Sequence, residues 1–143
     1  VDADGALVGA HQGAAAYTVG QRQGLGVALG EPRYVTRIDA GRNLVQIGRR
    51  EELERRSFEV DDVVYTAGRA PSGESLACQV RIRHRAEPVP GRLSRAGGGG
   101  TGQHGAWRVE LDRPVWAPAP GQAAVFYGGD EVLGGGRIAR PAP

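Results

Sequence analysis

Cys78-Gln79-Val80-Arg81-Ile82-Arg83-His84-Arg85 is the stretch from which the fold is read. Its polar and apolar side chains alternate at a spacing of two, which is the period of a strand. Gln79, Arg81, Arg83 and Arg85 then share one face, and Cys78, Val80, Ile82 and His84 share the other. Guanidiniums two residues apart on a strand are about 7 Å apart, close to the phosphate spacing along one nucleic-acid strand. From Gln79 to Arg95 there are five Arg and one acid, Glu87, a local charge of 5 − 1 = +4. Like charges in a row repel, and a solvated face would usually intersperse acids. Two readings stand at this point: an RNA-facing strand, or an outer face that tolerates its charge.

Working outward, the same spacing of two predicts strands at Tyr34–Ile38, Leu44–Ile47, Phe58–Tyr65, Leu76–Arg85, Trp107–Leu111, Ala123–Tyr127 and Glu131–Ile138. Asp39-Ala40-Gly41-Arg42-Asn43 reads as a turn between two strands, and Gly128-Gly129-Asp130 closes a C-terminal hairpin. The one helical candidate, Arg49–Arg56, has Leu53 as its sole apolar residue and suits a short element at a domain joint. The chain is therefore expected to be all-β, with a small central domain over residues 1–55 and a barrel over 56–143. Ser94–Gly105, with Gly97–Gly100 inside it, reads as a flexible loop between two strands. It lacks Gly-Lys-Ser/Thr and cannot be a phosphate-binding P-loop.

Every one of the 18 basic residues is Arg, and against 16 acids they leave a net charge of 18 − 16 = +2. So small a charge does not by itself predict nucleic-acid binding, and any such role must rest on local clusters. Arg does favour phosphate, which its planar fork grips with two parallel hydrogen bonds. The single cysteine, Cys78, falls on the apolar strand face and reads as a small buried hydrophobe, not a nucleophile. His11, His84 and His104 show no ligand spacing, so no metal site is expected. Apolar runs are far too short for a membrane span and no signal peptide is visible, which points to a soluble, cytoplasmic chain with no membrane partner. The chain begins at Val1 and contains no Met, as expected of a trimmed C-terminal fragment.

Two further segments stand out. His11 to Gly26 packs hydrogen-bonding side chains between glycines, which let backbone N–H groups approach a ligand closely. Gln21 and Arg22 suit base edges and phosphates, and His11 and Tyr17 could stack on bases. The competing reading is a tight turn whose polar groups only satisfy the backbone. Gly24-Leu25-Gly26 with Gly30 has the wrong spacing for a dinucleotide fingerprint. In Pro118 to Ile138, Val125, Phe126 and Tyr127 read as core strand residues, and Gly134-Gly135-Gly136 as a bulge or a close backbone approach.

These segments, in this order, resemble the bacterial tRNA-specific 2-thiouridylases, which older labels call tRNA methyltransferases. The family's first motif is matched by Gly9, His11, Gly13, Tyr17, Thr18, Val19, Gly20, Gln21, Arg22, Gly24, Leu25 and Gly26. A second is matched by Pro32, Tyr34, Val35, Ile38, Asp39, Asn43, Val45, Ile47 and Gly48. The Arg81–Arg85 strand and the Pro120–Ile138 ending resemble the family's last domain, with His84 replacing the usual aromatic. The resemblance implies a central β domain followed by a barrel similar to those of elongation factors. It implies tRNA as partner, held by His11, Tyr17, Thr18, Gln21, Arg22, Arg81, Arg83 and Arg85. For the full-length enzyme it implies 2-thiouridine formation at the wobble position of glutamate, glutamine and lysine tRNAs. ATP, with magnesium, would activate the base, and a cysteine persulfide fed by a sulfur carrier would supply sulfur. The ATP loop and catalytic cysteine pair of the upstream domain have no counterpart here, and Cys78 stands at neither cysteine position. The fragment is thus expected to have no catalytic residue and to bind no cofactor or metal. The alternatives are a structural barrel that docks a catalytic domain or sulfur carrier, and a free-standing module similar to a translation factor.

Overall fold

The computed structural model of the chain describes residues 1–96 and 105–141, the side chains of residues 140 and 141 excepted. Nearly all of its regular structure is strand, and it divides into two compact units, Val1–Glu54 and Arg55–Pro143. In the first unit, β1 (Tyr34–Asp39) and β2 (Leu44–Gly48) form an antiparallel hairpin. The turn between them ends on Asn43, whose φ of 50° is left-handed, a region Asn tolerates better than most residues. Ala14, Val35, Val45 and Ile47 make a small core, against which Val8, Tyr17, Leu25, Val27 and Ile38 pack. The helical expectation at Arg49–Arg56 shrinks to a single 3-10 turn, Arg50–Leu53, closed by the Arg49 N–H donating to Glu52 Oε1 at 2.7 Å. With one apolar residue it has no face to bury, and the chain is extended again from Glu54.

The second unit is a closed antiparallel barrel with strand order β3-β6-β5-β4-β7-β8. The strands are β3 (Glu54–Tyr65), β4 (Ser75–Arg81), β5 (Val89–Arg95), β6 (Trp107–Trp116), β7 (Ala123–Gly128) and β8 (Glu131–Pro141). Alternate residues fill the interior: Cys78 and Val80, Val89 and Leu93, Trp107, Val109 and Leu111, Ala124 and Phe126. On β3 the inward set Phe58, Val60, Val63 and Tyr65 skips one position, where the register shifts and Asp62 is left-handed at φ 53°. That is a bulge, which lets the strand turn the corner of the barrel. Trp107, Phe58 and Phe126 are fully buried, each stabilising the fold by about 2–3 kcal/mol. At Gly134, Gly135 and Gly136 a Cβ would meet the carbonyl oxygens of Val64, Ala124 and Asp61 at 2.4, 2.8 and 2.5 Å. Neighbouring backbone therefore excludes any side chain there.

Four expectations are corrected. The strand drawn to Arg85 ends at Arg81, and Ala86 N–H bonds back to the Arg83 carbonyl to close a turn. β5 lies where no strand was drawn. Val125 and Tyr127 are not core: with Ala124 and Phe126 inside, they face outward and are half-buried. The loop expected at Ser94–Gly105 begins later than drawn, since Ser94 and Arg95 belong to β5. Residues 97–104 lie outside the described residues.

Candidate nucleic-acid interface

In the first unit the glycine-rich segment wraps the hairpin. Gly20, at φ 90°, donates to the Val35 carbonyl at 2.8 Å, and Val35 N–H returns a bond to Gln21 O at 2.9 Å. The Gln21 carboxamide closes the turn: its oxygen accepts from Thr18 N–H at 3.0 Å and its nitrogen donates to Gln23 O at 2.9 Å. One N–H and one lone pair of the amide remain. Ala14 N–H is held by Asn43 Oδ1 at 2.8 Å, which ties this segment to the β1–β2 turn. His11 Nδ1 accepts from Gly13 N–H at 3.1 Å, which fixes the ring's orientation. The His11 and Tyr17 rings meet edge to face, with centroids 5.3 Å apart. Tyr17 packs on the core and is half-buried, while Thr18 and Arg22 are exposed.

Arg22, Glu31 and Arg33 line one shallow cleft. Glu31 pairs with Arg33 at 2.7 Å and with Arg49 at 3.5 Å, so a single carboxylate faces two guanidiniums while Arg22 lines the same cleft. The local excess of positive charge suits an anion such as phosphate. Arg33 and Arg49 were not singled out from the sequence. Arg33 stands two residues from Glu31 but Arg49 stands eighteen away, so the chain fold is needed to gather them.

In the second unit the three arginines separate. Arg81, at the end of β4, donates to the Tyr127 hydroxyl and lies over that ring, 5.0 Å from its centroid. Arg83 turns back onto the end of β6, donating to Trp116 O at 2.6 Å and Ala117 O at 3.0 Å, with its guanidinium 5.3 Å from the Trp116 ring centroid. Ala117 is buried and left-handed at φ 46°, so Arg83 fastens a strained corner. Arg85 is exposed in the turn. A single-face ladder of three cations does not exist. Tyr127 and Trp116, the aromatic partners of Arg81 and Arg83, gave no distinctive sequence signal, because alternation alone does not say which strand lies alongside.

Cys78 is buried in the barrel, and burial pushes its thiol up to about 11. A thiol this reluctant to ionise is a poor nucleophile. Tyr65 is driven up as well, first by burial and then by Cys78, with Arg95 opposing. Among the described residues no group of three or more His, Cys, Asp or Glu could hold a metal ion.

The small β unit and the closed barrel that follows it each match the profile of a known domain. The profile of the tRNA methyl transferase PRC-barrel domain matches residues 1–49, and that of the aminomethyltransferase beta-barrel domain matches residues 55–138. The tRNA-specific 2-thiouridylase MnmA of Chloroflexus aurantiacus is 50% identical over 141 residues, covering 99% of this chain and 37% of the relative. That of a Roseiflexus species is 45% identical over 98% of this chain and 36% of its own length. That of a Synechococcus species is 43% identical over 100% of this chain and 37% of its own. The chain belongs to the tRNA-specific 2-thiouridylase family, and it spans little more than a third of the length of these relatives.

Proposed function

We propose that this chain is the tRNA-holding part of a tRNA-specific 2-thiouridylase. The observation that carries the proposal is the 50% identity, over 99% of the chain, to a relative of that name. The full-length protein then forms 2-thiouridine at the wobble uridine of glutamate, glutamine and lysine tRNAs in the cytoplasm. ATP and magnesium act in an upstream catalytic domain, and a cysteine persulfide charged by a sulfur carrier delivers the sulfur. No residue of this chain is assigned to those steps. Its one thiol is buried and held protonated. Exposed Arg22 beside the Glu31–Arg33–Arg49 cluster, together with exposed Arg85, supports contact with a phosphate backbone, and Arg81, held on Tyr127, supports contact with RNA by its guanidinium face. His11, Tyr17, Thr18 and Gln21 shape the surface next to Arg22. A second reading, a barrel that docks other protein domains, is favoured by the engagement of Gln21 and Arg83 with their own backbone.

Titrating the chain with tRNA at several salt concentrations separates the two. The tRNA-holding reading expects log affinity to fall linearly with log salt, and Arg22→Ala or Arg85→Ala to reduce that slope by roughly one. Absence of tRNA binding at low salt would leave only the docking reading. Incubation with tRNA, ATP, magnesium and a persulfide donor is expected to give no 2-thiouridine.

A further inference from the structure

The barrel has two unlike halves. Its strands carry seven acids, and all seven, Glu54, Glu59, Asp61, Asp62, Glu110, Asp112 and Glu131, lie on the contiguous strands β8, β3 and β6. The other contiguous three, β7, β4 and β5, carry none, and contribute Arg81, Arg92 and Arg95. The outward positions of that acid-free half are low and open: Ser75, Ala77 and Ala123 are small and exposed. Rising from it are Gln79, Arg81, Arg92 and Tyr127. Register sets Tyr127 beside Gln79, Val125 beside Arg81 and Ala77 beside Arg92.

Arg81 is the distinctive feature. Its bond to the Tyr127 hydroxyl and its position over the ring fix the guanidinium as a flat cationic plane. Exposed Gln79, the register partner of Tyr127, offers a carboxamide at its edge. A planar heterocycle can stack on such a plane while a carboxamide reads its edge and a nearby Arg neutralises the next phosphate. We propose that the outward face of β7, β4 and β5 binds an unpaired nucleotide of RNA, its base stacked on the Arg81–Tyr127 pair, its edge on Gln79 and its backbone toward Arg92. The inference rests on the tRNA-holding reading and deepens it. A duplex keeps its base planes stacked inside, so it cannot use this platform. An acidic protein surface would match the charge but has no use for the stacked plane.

The test is fluorescence anisotropy with this chain and a short labelled oligoribonucleotide, single-stranded or annealed to its complement. A 4-thiouridine-substituted single strand is photocrosslinked in parallel. The single strand is expected to bind more tightly than the duplex, and the crosslink to map to the peptide holding Tyr127 or Gln79. Tyr127→Leu and Arg81→Ala should each weaken binding about tenfold, and their combination should not double the loss, because they form one platform. Arg108→Ala, on the other half, should bind as the parent does. Should Tyr127→Leu melt early, exposed Gln79→Ala and the crosslink decide. Tighter duplex binding, crosslinks confined to β3, β6 or β8, or displacement by polyglutamate as effective as by RNA overturn the platform and leave the tRNA-holding reading standing. Failure to bind tRNA or either oligonucleotide overturns both.

Discussion

Replacing Arg83 with Ala removes two charge-assisted hydrogen bonds, to Trp116 O at 2.6 Å and Ala117 O at 3.0 Å, and the contact over the Trp116 ring. A hydrogen bond to a charged donor contributes about 1.5–3 kcal/mol, and an exposed cation–π contact about 0.5–1 kcal/mol. Arg83 is half-buried and water can reach part of the site, so the lower end applies to each contribution, giving a loss of about 3–4 kcal/mol. For a barrel of this size that lowers Tm by roughly 15–20 °C. Arg83→Lys keeps the charge but cannot span both carbonyls, and should recover less than half of the loss. Arg85→Ala, at an exposed turn position, should change stability by less than about 0.5 kcal/mol. Urea and thermal melts of the three variants measure this directly. In the salt titration the roles reverse, with the slope reduced for Arg85→Ala and kept for Arg83→Ala. Parent-like melting of Arg83→Ala, or a reduced salt slope with unchanged stability, would refute the assignment of Arg83 to the fold.

Gln21→Ala removes both side-chain bonds that close the 18–23 turn and should destabilise the first unit by about 1–2 kcal/mol, read as faster amide exchange at Gly20 and Val35. A Cβ at Gly91 would stand 2.4 Å from the Glu110 carbonyl oxygen, so Gly91→Ala must push β5 from β6 and should cost about 1–3 kcal/mol in a urea melt. The Cys78 thiol titrates near its ordinary value of 9.0 when unfolded and near 11 when folded. Between these values the unfolded state has lost the proton that the native state keeps, so stability falls as pH rises from about 9 to 11, by up to about 2 kcal/mol. Cys78→Ala should flatten that slope without abolishing it, since Tyr65 shifts in the same direction, and the parent thiol should react with Ellman's reagent only on unfolding.

The strands that alternate cleanly were legible in the sequence, as was the all-β class. β5 was not, because Pro88, Pro90 and Gly91 read as breakers. Pro90 lies one residue beyond the β5–β6 ladder, which starts at Gly91, so its missing N–H costs no bond to β6. Gly91 is required by the close approach of Glu110. Alternation placed Gln79 and Arg81 on the outer face, but it ran on through Arg85, because a turn can carry the same polar and apolar pattern as a strand. The segment from His11 to Gly26 named its residues without dividing their labour. That Gln21 is largely engaged by backbone while Arg22 is exposed depends on Val35 and Thr18 standing where they do.

Closure of the barrel joins its earliest strand to its latest. Phe58 stands opposite Pro141, 141 − 58 = 83 residues away along the chain. During synthesis, then, β3 and β7 each wait with an unzipped edge until β8 leaves the ribosome, and the apolar lining of Phe58, Val60 and Phe126 waits with them. Contacts so distant in sequence form late and slowly. A chain stopped short of β8 would leave two open edges facing the crowded cell, where the partner most readily found is another copy in the same condition.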